Sequence, residues 1–264
     1  ARQVSEIAIL SSEYFHPAGD RNNTSDDGAA QMLLELKHGF DVVDPSADFS
    51  RYRLVVLPDN VPLDADLAGR LDAYVRDGGG ILFTGSSGIG SDGAFALPAG
   101  IALSGTPVTF NPSYMQATAE LDAQMPSTPF VMYGVAQSVT ALDAEVLAEV
   151  VPSYFNRTYQ HFSSHQHAPD DPRAKALGAA VTIKGRVGYV AYPIFEMYQA
   201  MGQPLYKYVV RGLLDRLMPD PVLTTDLPSA GRASLARQAD RGRHVLHLLY
   251  GPPQVRGKRV PAAG

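Results

Sequence analysis

Two stretches of almost uninterrupted aliphatic residues, "YRLVVLPD" (52–59) and "ILFTGSSG" (81–88), constrain this chain more than any other feature. A strand with one wet face alternates apolar and polar residues, whereas a run with no alternation needs cover on both faces, as in a parallel sheet. A shorter run, "SEIAILSS" (5–12), precedes them, and "FDVVDP" (40–45) reads as one more strand. Between the strands, "AAQMLLELKHG" (29–39) has helical spacing and reaches a C-capping glycine at Gly39. The polar stretch before it, "EYFHPAGDRNNTSDDG", reads as a long loop. "DADLAGRLDAYVRDGGG" (64–80) sets Leu67, Leu71, Tyr74 and Val75 on one side of a second helix. Strand–helix alternation of this kind forces right-handed crossovers, so the expected class is α/β with a doubly wound, mostly parallel sheet.

Beyond about residue 100 the alternation loosens. "GTPVTF" and "TPFVMYGVAQSVTAL" read as strands or loops, and "EVLAEVVPSYFN" as a strand. "GAAVTIKGRVGYVAYPIF" (178–195) reads as a hairpin turning at Lys184 and Gly185. "PLYKYVVRGLLDRLMP" (204–219) is an amphipathic helix with Tyr208, Val209, Leu213, Leu214 and Leu217 inward, stopped by Pro219. From Pro221 the pattern changes to short antiparallel strands and turns. The expected division is therefore an α/β domain over 1–220 and the start of a truncated, β-rich C-terminal domain over 221–264. The opening Ala1 and the ending "GKRVPAAG" point to a piece of a longer polypeptide.

Composition removes whole classes of chemistry. The chain has 264 residues, 45% hydrophobic and 19% charged, enough to bury a proper core. A net charge of −5 with scattered cations argues against nucleic acid or an anionic membrane as partner. No apolar run is long enough to span a bilayer, no signal peptide opens the chain, and a cytoplasmic protein is expected. With no cysteine, disulfides, thiolate zinc sites and a cysteine nucleophile are all excluded.

In an open α/β sheet, ligands sit beyond the carboxyl ends of the strands, which selects the loops 11–28, 58–63 and 84–93 and the turn after Phe195. Glu13, Tyr14, His16 and Arg21 fall in the first of these, and Glu196 follows the last. Gly88, Gly90 and Gly93 have the spacing of a dinucleotide-binding loop, but no helical pattern follows, and a plain loop after a strand explains them better. The densest polar stretch is "RTYQHFSSHQHAPDD" (157–171), with Arg157, His161, His165, His167, Asp170 and Asp171. Its histidines could ligate a borderline metal, wall a ligand pocket, or brace the loop as a polar network. The segment is poor in helix formers and carries no zincin pattern, so no metal site is expected, and no cofactor. The aromatic run "YFNRTYQHF" could stack on a sugar ring or pack a core. His244 and His247 alternate with apolar residues on an expected strand and read as structural.

"VSEIAILSSEYF" followed by "GFDVVDPSADFSRYRLVVLPDNVPLDADLAGRLDAYVRDGGGILFTGSSG" resembles the trimerisation domain of glycoside hydrolase family 42 β-galactosidases. The order and spacing match over about the first ninety residues, within the flavodoxin-like outline shared by class I glutamine amidotransferase-like domains. The later stretches "YFNRTYQHFSSHQHAPDD", "GYVAYPIFEMYQAMG" and "LPSAGRASLARQADRGRHVLHLL" resemble the C-terminal part of a group of glycoside hydrolases in which such a domain follows a catalytic barrel. The resemblance implies that hydrolysis belongs to two carboxylates on a barrel outside this chain. Amidotransferase chemistry is excluded by the missing cysteine, and of its H-P-E segment only Tyr192, Pro193 and Glu196 remain, without a histidine.

The resulting expectation is a non-catalytic assembly domain, with no catalytic residue of its own. Its partners would be its own catalytic barrel and further copies of itself, as a trimer or dimer. Glu13, Tyr14, His16, Arg21, Arg157, His161, His165, His167 and Glu196 would be the candidates for contact with a carbohydrate substrate in the full enzyme. A carbohydrate-binding module and a metal-dependent hydrolase built on His161, His165 and His167 are the alternatives.

Overall fold

Fourteen strands and four helices carry the argument in the computed structural model, which describes residues 1–16, 22–251, 255–256 and 260–261. The strands are β1 (Arg2–Gln3), β2 (Ile7–Leu10), β3 (Phe40–Val43), β4 (Leu54–Leu57), β5 (Gly80–Thr84), β6 (Ile101–Leu103) and β7 (Ser113–Ala117). They continue as β8 (Phe130–Met132), β9 (Val139–Ala141), β10 (Glu145–Val151), β11 (Gly178–Lys184), β12 (Val187–Val190), β13 (Gly231–Gln238) and β14 (Arg243–Tyr250). The helices are α1 (Thr24–Glu35), α2 (Ala65–Arg76), α3 (Ile194–Met201) and α4 (Pro204–Leu217).

A nine-stranded sheet runs in the order β3-β2-β4-β5-β12-β11-β10-β7-β8. The pairings from β3 to β12 are parallel, and those from β12 to β8 are antiparallel. The aliphatic runs behave as their composition requires: every residue of β2, β4, β5 and β12 is buried. The chain leaves β2 towards β3 through α1, and leaves β4 in the opposite direction towards β5 through α2. Right-handed crossovers in opposite directions put the two helices on opposite faces, which is the doubly wound arrangement. α1 packs on α3, and α4 lies on β5 and β12. The hairpin β13–β14 pairs with β1 in a separate three-stranded antiparallel sheet.

Several local expectations are corrected. α1 begins at Thr24, inside the stretch that reads as loop, because its first-turn carboxylates are used structurally. Asp26 accepts hydrogen bonds from Ser12 N (2.8 Å), Ser12 Oγ (2.8 Å) and Ser11 Oγ (2.7 Å), tying the helix to the end of β2. Its carboxylate also suits the positive end of the helix dipole. α1 ends before Gly39: Lys37 takes the left-handed conformation (φ 66°). Gly39 serves a close approach instead, since a Cβ there would lie 2.3 Å from the Val4 carbonyl oxygen. On α4, Tyr206 rather than Tyr208 is buried, while Tyr208 lies under the Arg211 guanidinium (4.5 Å to the ring centroid). Of the two readings open for "GTPVTF", the loop is the one found, and His244 and His247 lie on a strand as expected, with both exposed.

Candidate functional site

Direction along the sheet decides what can share an edge. β10 runs antiparallel to β11, which runs antiparallel to β12, so β10 points the same way as β2, β4, β5 and β12. The carboxyl ends of these five strands therefore lie on one edge, and with them the loops opening at Ser11, Pro58, Gly85, Ala191 and Pro152. Every described candidate from the sequence follows one of these strands. They fall into two groups, and no hydrogen bond joins the groups among the described residues.

The central group surrounds Asp59, directly after β4. Its carboxylate is fully buried and accepts from Thr84 Oγ1 (2.6 Å), Glu196 N (2.7 Å) and Phe195 N (3.4 Å). Burial pushes its carboxyl up to about 6, against the opposing pull of these donors. Its backbone is left-handed (φ 50°), and its carbonyl accepts from Ser86 N (2.6 Å) and Ser87 N (3.2 Å). Gly85 is required beside it, because a Cβ at Gly85 would sit 2.5 Å from that carbonyl oxygen. Asp59 thus caps α3 from another strand and satisfies amides that a helix N-terminus otherwise leaves open.

Around this sealed centre, Glu13 and Tyr14 lie exposed on a short 3-10 helix (Glu13–Phe15), and Glu196 is exposed on the first turn of α3. His16 stands 3.5 Å from Asn60 Nδ2 through its Nε2, while His16 Nδ1 and Asn60 Oδ1 are buried without a hydrogen-bond partner. Arg21 lies outside the described residues. Asp59 and Asn60 were missed at the level of single residues, although the loop 58–63 that carries them was selected by its place after a strand.

The second group is the histidine loop after β10. Its base is stapled: Ser153 pairs with Asp170, Tyr154 N donates to Pro169 O (3.0 Å), and the Tyr114 hydroxyl donates to Ala168 O (2.8 Å). The loop also braces itself, with Arg157 Nη1 donating to Gln166 O (2.6 Å), Thr158 N to His161 O (2.7 Å) and His161 N to Thr158 Oγ1 (3.0 Å). His167 is half-buried edge-on to Tyr133 (5.6 Å between centroids), and His161 is tilted against Phe155 (6.4 Å). His161, His165, Tyr159 and Phe162 are exposed, Tyr159 at 96%. Among the described residues no three of His, Cys, Asp and Glu are placed to hold a metal ion. The loop presents imidazoles, a guanidinium and aromatic faces, which is chemistry for hydrogen-bonding hydroxyls and stacking on a sugar ring.

Comparison with known proteins follows the same outline. The family model for the β-galactosidase trimerisation domain matches residues 31–217. Among solved structures, α-L-fucosidase isoenzyme 2 from Paenibacillus thiaminolyticus superposes with a TM-score of 0.88 at 32% identity, covering 99% of this chain and 40% of that one. The β-galactosidase of Rahnella sp. R3 gives 0.60 at 19% identity, covering 89% of this chain and 34% of that one. The β-galactosidase of Bacillus circulans sp. alkalophilus gives 0.59 at 14% identity, covering 99% of this chain and 41% of that one. The last two show a shared fold alone. A search of curated proteins finds no match. The chain spans well under half the length of these relatives.

Proposed function

Because the chain belongs to the β-galactosidase trimerisation domain family of glycoside hydrolase family 42, we propose that it assembles a glycoside hydrolase into a homotrimer and walls the substrate pocket of that enzyme. Membership of this family implies oligomerisation and association with a catalytic domain. The finer reading is that the histidine loop, through Arg157, His161, His165 and His167, contacts a carbohydrate held mainly by a barrel domain of the same assembly. Exposure of Arg157, His161 and His165 over a stapled base supports this, because it leaves the two imidazoles and the remaining guanidinium N–H groups of Arg157 open to a neighbour. Glu13, Tyr14, His16 and Glu196 line the same edge and are the secondary candidates.

For the sugar, the carrying observation is the 32% identity to the α-L-fucosidase domain along 99% of this chain, against 19% or less for the two β-galactosidases compared above. We therefore assign the whole enzyme to α-L-fucosides, with β-galactosides as the second reading on the strength of the family match. The 221–264 segment is read as the beginning of a β-rich domain, because β14 leaves Leu246, Leu248, Leu249 and Tyr250 exposed. Neither nucleic acid nor membrane belongs to this reading: the net charge is −5, and no described helix is long and apolar enough to cross a bilayer.

The test assays the whole enzyme on p-nitrophenyl α-L-fucopyranoside and p-nitrophenyl β-D-galactopyranoside, with light scattering for its oligomeric state. The expected result is an oligomer that hydrolyses the fucoside, with KM raised on the order of tenfold by Arg157→Ala or His161→Ala while the oligomer persists. A strictly monomeric enzyme would remove the assembly role. Unchanged kinetics in both loop variants would remove the pocket role.

A further inference from the structure

A second polar concavity lies at the opposite edge of the sheet, among the amino ends of three adjacent parallel strands. Arg53 immediately precedes β4, Gly79 precedes β5 and Arg186 precedes β12, and all three line a cleft of about 480 Å³ with Phe49, Tyr74 and Arg70. That volume is within the range of small-ligand sites, roughly 300–1,000 Å³. Arg53, Arg70 and Arg186 all line the cleft, and apart from Glu6 the acceptors they meet are backbone carbonyls.

Arg70 donates to the carbonyls of Pro45 and Ala47 (2.7 Å to the latter) while lying over the Phe49 ring (5.1 Å to the centroid). Arg186 donates to Leu217 O (3.1 Å), and its Nε–H is buried with no acceptor. Neither Arg70 nor Arg186 has a carboxylate partner among the described residues. Arg53 alone is paired, to Glu6 (2.6 Å), and it also donates to the carbonyls of Pro219 (2.5 Å) and Asp220 (2.9 Å). The two acidic lining residues, Asp48 and Asp77, are exposed on the rim, and Asp48 is occupied by the Ser50 amide and hydroxyl.

Arg70 and Arg186 have no carboxylate to balance their charge, and an anion at the cleft is the group that does so while accepting from their outward N–H groups. An oxyanion with several acceptor oxygens can meet more than one guanidinium at once, as arginine forks do with phosphate. Phe49, Tyr52 and Tyr74 add aromatic wall beside the cations, which suits a compact ring attached to the anion. We propose that this cleft is a binding site for a phosphate group, carried either as inorganic phosphate or on a small sugar phosphate, with Arg186 and Arg70 as its principal ligands. The site stands apart from the carbohydrate-facing edge and does not depend on that reading.

Isothermal titration calorimetry on the full chain, at fixed ionic strength, uses inorganic phosphate in one arm and glucose 6-phosphate in the other, with matched sodium chloride as control. Saturable binding at one site is expected, weakened tenfold or more by Arg186→Gln and likewise by Arg70→Gln. Tighter binding of glucose 6-phosphate identifies the sugar phosphate as the ligand, and equal binding identifies the free ion; both support the site. Heats no larger than those of the chloride control overturn it, as does phosphate affinity unchanged in both variants. Arg70 makes its bonds to the loop before β4 rather than to α4, so its variant keeps the test decisive if Arg186→Gln does not fold.

Discussion

Three glycines sit inside helices, and the same substitution at each is expected to have opposite signs. Gly69 on α2 has open space where a Cβ would stand, so Gly69→Ala removes the helix penalty of glycine and stabilises by about 0.8–1 kcal/mol. Gly28 on α1 faces the Phe195 backbone, and a Cβ there would lie 2.0 Å from the Phe195 carbonyl oxygen and 2.6 Å from its carbon. Gly212 on α4 meets the Leu121 carbonyl oxygen at 1.9 Å. Backbone cannot swing away as a side chain can, so each helix would have to retreat by roughly an ångström from its partner. Overpacking of this kind costs about 1–3 kcal/mol or more, which outweighs the propensity gain. At about 2–4 °C per kcal/mol for a chain of this size, Gly28→Ala and Gly212→Ala lower the thermal midpoint by several degrees, while Gly69→Ala raises it. Thermal unfolding followed by circular dichroism reads all three. Gly28→Ala carries the larger lesson, because Phe195 and Glu196 hold Asp59 through their amides, so a displaced α3 also loosens the carboxyl edge. A rise in midpoint for Gly28→Ala matching that of Gly69→Ala would refute the close packing of α1 on α3.

Asp59 makes a pH prediction whose sign follows from its raised carboxyl. Its folded value of about 6 exceeds the ordinary 3.8, so folding favours the protonated form. The resulting stability is fully present below about pH 4, and it is lost as pH rises through the window from about 4 to 6. The difference of about two units corresponds to about 3 kcal/mol at most. Urea titrations at pH 4.5 and 7 should show that slope, and Asp59→Asn should flatten it; an unchanged slope in the variant would assign it to other groups. Arg211 and Lys184 give a matched contrast in ion pairs. Arg211 grips the nearly buried Asp122 with two bonds of 2.7 Å, so Arg211→Ala strands a carboxylate and costs about 1.5–3 kcal/mol. The Lys184–Asp143 pair is exposed on both sides, and Lys184→Ala should shift the same denaturation midpoint by under about 0.5 kcal/mol. Equal effects at the two sites would contradict the burial argument.

What could be read from the sequence depended on whether a residue's role is local. The strands around "IAIL", "LVVL" and "ILFT" were legible because burial on both faces leaves an aliphatic run that needs no partner to be recognised. The start of α1 was not, because "TSDDG" has the composition of a loop until Asp26 is seen accepting from Ser11 and Ser12. Gly39 reads as a helix stop, whereas its need is the close approach of the Val4 carbonyl, which only tertiary packing brings near. The site followed the same rule. Position after a strand selects one edge of the sheet, and Glu13, His16 and Glu196 do lie along it. Asp59 stayed invisible because its partners Thr84, Phe195 and Glu196 are contributed by β5 and α3. The Arg186 cleft was equally hidden, since its arginines are scattered along the chain and meet only at the amino edge of the sheet.

The contrast between the two groups on the carboxyl edge bears on how such a frame is used without the nucleophile of an amidotransferase. The N-terminus of α3 faces the middle of the edge, where a helix end would ordinarily welcome an anionic ligand. Here Asp59 fills that position from within the chain, and its buried carboxylate takes the amides of Phe195 and Glu196. Tyr192, two residues beyond β12 on the same edge, is likewise turned inward, sharing a hydrogen bond of 2.8 Å with Ser113. The centre is therefore occupied by internal bonds that a ligand would have to break. The flank is not: the histidine loop is fixed at its base by Ser153, Asp170 and Tyr114 and leaves His161, His165 and Tyr159 facing outward. Internal bonds thus close the centre of this edge, while the stapled flank holds polar and aromatic groups outward in a fixed place, as the proposed contact with a neighbouring domain requires. On the proposed reading, that division lets the frame serve as a scaffold whose chemistry is completed by another domain.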